Sequence, residues 1–466
     1  MKKNNILKVV GITLLLVVLC TWIFPISYFN GSSIVNGERI QVGLFTLFDH
    51  FSVAISYFWY IPVFILVVGG FYGVLYQTNG YRNLLDRIVE KYKDREWIFL
   101  TIIMLIFGVV TSVSGLSFGL FFLFPFIITV ILLMGYSKIT SLLVTVGSVC
   151  VGILGTTYST VLTSGVNYFL GTTAGDELIA KLVILALGLI LLIVNTLLYA
   201  RKHKKNEPRK GFLYPVSNNQ NTKTWPIIVV FDVVLLIMIL SFMSWTEVFE
   251  VTIFADALKA INEFKIGDFN IFAKLLGGVK AFGQWALSDL IGLVVMATGF
   301  VALLCRVKFD DMVKGFGAGA KKALRPAFVV ALVYLILIIT YVGDGSSPIS
   351  LTIAEPLINL TKDFNVVTAS GVAIISHFFA VELDFSTNIL FYISSVFTDE
   401  GLSGIMAIIW QATYGLAMLF VPTSAILVAG LSYLNVSYFR WLKAIWKLLL
   451  ELLVVLLAVF LIMTLI

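Results

Sequence analysis

Charge is what this sequence has least of: Asp, Glu, Lys and Arg make up 12% of its 466 residues, against 59% hydrophobic. A soluble chain of this length could not hide that much apolar surface, so a water-soluble globular protein is excluded. Histidine is scarcer still, with His50, His203 and His377 far apart, which offers no metal site and no catalytic dyad. Three cysteines (Cys20, Cys150, Cys305) each stand in an apolar stretch and form no C-x-x-C pair, so they read as packing residues and not as a disulfide or zinc framework. The alternating polar and apolar pattern of an outer-membrane barrel is also missing. The net charge of +6 does not indicate nucleic-acid binding, because the basic residues cluster between apolar blocks. An enzyme would need a nucleophile–base pair or a metal set, and none is legible.

What is present is apolar sequence in blocks of about 20 residues, the length that crosses a hydrocarbon core of about 30 Å as a helix. The mean hydropathy is +1.01. The blocks fall at 7–29, 51–76, 97–114, 116–135, 139–170, 179–200, 226–244, 289–305, 327–343, 366–383, 385–397, 402–433 and 441–465. Lys2-Lys3 ahead of the first block resembles a signal peptide. Trp22-Ile23-Phe24-Pro25 continues the apolar run without a small-residue cleavage pattern, so an uncleaved first helix is expected. Lysine and arginine concentrate at the start, in 78–96, in 201–225, in 306–325 and after residue 433, which places these connections and the N-terminus in the cytoplasm. The expected location is the plasma membrane of a bacterium, in contact with lipid on most sides.

Two full crossings at 366–383 and 385–397 would meet in the cytoplasm at Glu382–Asp384 without a positive charge, and the second arm is too short to span. A re-entrant hairpin over 366–398, entering from outside, removes both conflicts. Polar backbone at membrane depth is tolerated where it is buried or lines a cavity. With a second hairpin at 97–135 entering from the cytoplasmic side, an inverted repeat emerges: residues 1–200, a basic linker at 201–225, an extra helix with an interfacial segment at 226–288, then residues 289–466. The expected fold is all-α and polytopic, with about nine full crossings, two hairpins and two broken helices. Such repeats place a solute between them.

Four polar clusters lie inside apolar surroundings at corresponding places in the two halves. The first is the hairpin tip with Ser112, Ser114, Gly115 and Ser117. The second is Gly155, Thr156 and Thr157, where block 139–170 is too long for one straight crossing. The third holds Glu382, Asp384, Ser386, Thr387 and Asn388. The fourth holds Gln411, Thr413 and Gly415, then Pro422, Thr423 and Ser424. Broken helix ends present free N–H and C=O groups to an ion or polar solute, whereas close helix packing through small residues is the competing reading of each one. Intramembrane carboxylates cost about 2.5–3.5 kcal/mol apiece on insertion scales. Glu382 and Asp384 are therefore the expected charged members, with Na⁺ near Asp384 or H⁺ as coupling ion. Asp232 reads equally well as a structural hydrogen-bonding residue, and His377, which could join a proton relay, reads more readily as a packed neutral histidine. No other cofactor is expected, and a homodimer is compatible with the pattern.

Trp410-Gln411-Ala412-Thr413-Tyr414-Gly415, then Val421-Pro422-Thr423-Ser424, then Val436-Ser437-Tyr438-Phe439-Arg440-Trp441-Leu442-Lys443 resemble a known C-terminal signature. It is that of the YfcC branch of the C4-dicarboxylate anaerobic carrier (DcuC) family, which reads roughly Q-x-G-D-G, P-T-S, V-x-Y-x-x-W-L-K. The similarity extends loosely to Gly80–Gly155 and Phe316–Tyr341. It implies the two-hairpin, two-broken-helix fold of the ion transporter superfamily and a carrier of dicarboxylates, basic amino acids or peptides. Here Ser112–Ser117 stand where the family has acidic residues at the first tip, Asp384-Phe385-Ser386-Thr387-Asn388 replace a P-S-G-S-G-Q-A run, and the D of G-D-G is missing. The expected function is ion-coupled secondary transport of an amino acid, short peptide or small carboxylate, with uncoupled amino-acid exchange of the basic amino acid antiporter type as the alternative. A channel would need a repeated selectivity filter, which is not present.

Overall fold

A computed structural model describes residues 5–30, 33–39, 41–204, 223–267, 269–340, 352, 355–356, 365–387, 389–390, 393 and 400–465. Apart from one short antiparallel hairpin, β1 (Ser27–Phe29) with β2 (Ile34–Asn36), the regular structure is helical. The first series is α1 (Asn5–Ile23), α2 (Leu44–Phe58), α3 (Tyr60–Leu75), α4 (Asn79–Lys91), α5 (Glu96–Ser114) and α6 (Phe124–Leu133). It continues with α7 (Lys138–Leu142), a π-helical turn over Leu143–Gly147, α8 (Ser148–Leu154), α9 (Thr160–Leu170) and α10 (Leu178–His203). Next come α11 (Trp225–Phe242), α12 (Ile253–Glu263), α13 (Ile271–Leu276), α14 (Leu287–Leu304) and α15 (Phe309–Thr340). The chain closes with α16 (Val366–Phe379), α17 (Ser403–Met418), α18 (Ala425–Leu434) and α19 (Tyr438–Met463). Among the described residues seven helices are long and apolar enough to cross a membrane, so this is a multi-pass membrane protein.

Where the sequence breaks, chemistry explains it. Gly115 ends α5 in the left-handed region at φ 75°, which an L side chain rarely adopts. The chain then tightens into a 3₁₀ helix over Phe118–Leu123 before α6, so the two arms of 97–135 are separate helical segments. The long block at 139–170 parts at residues 155–159, where Ser159 caps α9 by accepting from the Leu162 N–H. The block at 402–433 parts at residues 419–424, around Pro422. Within the apolar helices several hydroxyls fold back on their own turn, as Thr129 does to Pro125 O and Thr298 to Val294 O, which satisfies their hydrogens inside the helix.

Two expectations change. Block 51–76 is two helices bent by 65°, with α2 starting as early as Leu44. Pro62, in the first turn of α3, has no N–H for the Phe58 carbonyl, so the helix cannot run straight through. The supposed connection 306–325 is itself helical and continuous with the following span in the 32-residue α15. Its Gly315-Phe316-Gly317-Ala318-Gly319 run is a packing surface: Gly69 and Gly73 of α3 lie so close that a Cβ on Gly73 would overlap the Gly315 carbonyl oxygen, and one on Gly319 the Gly69 carbonyl oxygen. On α19 the exposed Lys447 lies 3.4 Å from Glu451, whose other oxygen accepts from Asn195 Nδ2 at 2.6 Å. Most of the polar arm 345–362 and most of the return arm of the 366–398 hairpin fall outside the described residues.

Candidate functional site

The break between α8 and α9 is held by the tip that ends α5. Ser112 Oγ donates to Gly155 O at 2.6 Å and lies 3.1 Å from Thr157 Oγ1, while the Thr157 N–H donates to Ser112 O at 3.0 Å. These hydroxyls satisfy carbonyl and amide groups that the missing helical turn would otherwise leave open. Ser114 Oγ returns to Val110 O and accepts from the Leu116 N–H. Thr156 caps its own turn through Ile153 O, and its carbonyl accepts from Gln411 Nε2 of α17 at 2.7 Å. That bond joins the two broken helices, and the fit leaves no room: a Cβ on Gly415 would overlap the Leu154 backbone nitrogen.

The second break has its own partners. Trp410 Nε1 donates to Ser386 Oγ at 2.8 Å, and Ser386 Oγ donates to Leu383 O. Thr413 Oγ1 bonds to Ile409 O, Thr423 Oγ1 to Phe378 O, and Tyr414 OH to Val381 O. His377 is fully buried with Nε2 2.9 Å from Trp410 O, which agrees with a packed ring. Ser424, the N-cap of α18, is fully buried and its hydroxyl has no hydrogen-bond partner among the described residues. Thr387 is buried; of Asp384 only the backbone is described, in a 3₁₀ turn over Leu383–Ser386, and Asn388 lies outside the described residues.

A cavity of about 420 Å³ opens where these pieces converge. From the sequence-expected set it gathers Gly115, Ser117 and Glu382; the Ser112–Gly155–Gln411 network stands behind its wall. Glu382 is the one charged residue among its described lining, half-buried, and Tyr334 OH donates to its Oε1 at 2.8 Å. Tyr334 is itself positioned by stacking on Phe58, with ring centroids 4.5 Å apart. Tyr60, Tyr414 and Trp285 complete an aromatic wall around the carboxylate. Composition could not reveal these aromatics. The only local signal is Tyr334 as a lone hydroxyl in the otherwise apolar run 327–339. Chemically the pocket can hold a positive group between a carboxylate and aromatic faces. Its volume falls in the range of about 300–1,000 Å³ usual for small-molecule sites.

Replacing Gln411 by alanine leaves the buried Thr156 carbonyl without its donor, which costs about 1–3 kcal/mol. The expected result is a lowered melting temperature in detergent and slower transport together. A melting temperature equal to the parent's would show that the bond between the two breaks does not hold them.

The family model described as C4-dicarboxylate anaerobic carrier, DcuC, matches residues 59–465. The chain is also 21% identical, over an alignment of 407 residues covering 82% of it and 73% of the relative, to YfcC of Escherichia coli (strain K12), a candidate basic amino acid antiporter.

Proposed function

This chain belongs to the C4-dicarboxylate anaerobic carrier family, a family of membrane transport proteins and not of enzymes, and from that premise we propose that it carries a small amino acid bearing a positive group. The observation that supports this reading is the cavity itself: a carboxylate held by Tyr334, with no lysine or arginine among the described lining residues. A dianionic dicarboxylate would bring two charges into that pocket against a third, and the described lining offers no lysine or arginine to offset their desolvation. A basic or zwitterionic amino acid offers its ammonium or guanidinium to Glu382. The relationship to YfcC supports the same direction and favours exchange of one amino acid for another.

Mechanistically, we read residues 1–200 and 289–466 as inverted repeats, with 97–135 and 366–398 as re-entrant hairpins and the N-terminus in the cytoplasm. Alternating access then moves the hairpins and broken helices against the remaining helices around a fixed site. Gly115 and Ser117 supply hydrogen-bonding groups opposite Glu382. Na⁺ or H⁺ remains the candidate for coupling, at Asp384 and its neighbours or at Glu382.

Proteoliposomes loaded with arginine or lysine should take up the labelled amino acid faster than empty ones, saturably, while labelled succinate enters no faster than into protein-free vesicles. Succinate uptake that arginine does not compete with would reverse the assignment of substrate. Uptake that depends on an imposed Na⁺ or H⁺ gradient, and not on internal amino acid, would favour coupling over exchange.

A further inference from the structure

Residues 243–286, between α11 and α14, carry no long apolar helix, and α12 and α13 contribute no buried residue. Yet the segment is anchored at both of its ends. The Gly283 and Trp285 N–H groups both donate to Ser241 O, and Trp245 Nε1 donates to Leu240 O. Between these anchors runs a chain of touching rings: Tyr158–Phe249, Phe249–Trp245, Trp245–Phe254, Phe254–Phe282 and Phe282–Trp285, with centroids 5.1–6.1 Å apart. Tyr158 sits in the break of the first broken helix, and Trp285 forms part of the cavity wall. Ser244 adds a polar latch at the N-terminus of α9, accepting from the Thr160 N–H at 3.1 Å with its Oγ 2.8 Å from Thr160 Oγ1.

From this we infer that the segment between α11 and α14 is a lid, latched by Ser244 and Phe249 to the α8–α9 break and reaching the cavity through Trp285, and that opening this latch admits solute. The inference rests on the reading of the cavity as the solute site. Its logic is mechanical. A break that moves during transport cannot carry a capping hydrogen bond and a ring contact to a stationary segment unchanged, so the latch must part when α9 moves. A surface segment with few buried side chains and fixed ends is suited to such a release.

The test uses the full chain in a background where Cys20, Cys150 and Cys305 are replaced by alanine, with Ser288→Cys as a reporter in the cavity wall. A small, charged methanethiosulfonate should label the reporter at least fivefold faster in Ser244→Ala/Phe249→Ala than in the parent. Ser244→Thr alone, which keeps the hydroxyl, should label at the parent rate. Monodisperse elution of each variant controls for folding. In a second arm, Thr160→Cys with Ser244→Cys brings two sulfurs to the place of hydroxyls 2.8 Å apart. Oxidation should form a disulfide that stops uptake, and dithiothreitol should restore it. Equal labelling rates in the loosened variant and the parent, or full uptake by the cross-linked protein, would overturn the lid. If the parent carries no amino acid, the substrate reading fails while the labelling rates still decide the lid.

Discussion

Glu382→Gln should reduce uptake of a cationic amino acid by roughly 100-fold, with the protein still eluting as a folded species. The glutamine keeps the size of the side chain and the Tyr334 hydroxyl keeps an oxygen to donate to, so the fold loses little. What disappears is the charge that offsets a desolvated ammonium or guanidinium, and losing one partner of such a buried pair costs about 2–5 kcal/mol, where each 1.4 kcal/mol is tenfold. Tyr334→Phe should have a smaller effect of the same kind, about tenfold or somewhat more, because a hydrogen bond to a charged group contributes about 1.5–3 kcal/mol. Glu382→Asp retains charge but withdraws it by one methylene and should fall between them. Uptake rates over a substrate series, with binding followed by thermal shift, separate these cases. Normal arginine or lysine uptake by Glu382→Gln would leave the carboxylate a structural partner of Tyr334 and nothing more.

Gly73→Val and Gly319→Val should each prevent recovery of folded protein, whereas Gly317→Val on the same helix should be tolerated. At Gly73 and Gly319 the added side chain would have to occupy backbone of the opposing helix, Gly315 and Gly69 respectively, which no rotamer change can relieve. Overpacking a core costs about 1–3 kcal/mol where neighbours can shift, and more where they are backbone. Around Gly317 a Cβ meets nothing within 4 Å, and valine is the better helix former of the two. Fluorescence-detected size-exclusion of fusion proteins reads all three. Equal recovery of Gly319→Val and Gly317→Val would mean that α3 and α15 do not need this approach. Because α3 carries Tyr60 at one end and α15 carries Tyr334, the same packing sets the spacing of the aromatic wall around Glu382.

The sequence by itself determined the membrane class, the helical content, and the two places where long apolar blocks part. These follow from local properties: hydropathy summed over about 20 residues, a block at 139–170 too long for one straight crossing, and a proline without an N–H at Pro422. The signature around Gln411 likewise carried the family, because it is written in consecutive residues. The tertiary structure decided what depends on distance between elements. The bend at Trp59 hangs on one missing hydrogen bond inside an unbroken apolar run, which hydropathy averages away. The run Gly315–Gly319 became a helix contact only when α3 lay against it. Glu382 stood out as a costly charge, but its partner Tyr334 is 48 residues away and the ring that positions Tyr334 is on α2. Ser112, Thr157, Gln411, Ser386 and Thr423 bond across to other elements at the breaks and tips, since buried backbone left open by a lost helical turn must find a donor or acceptor, and only packing selects which.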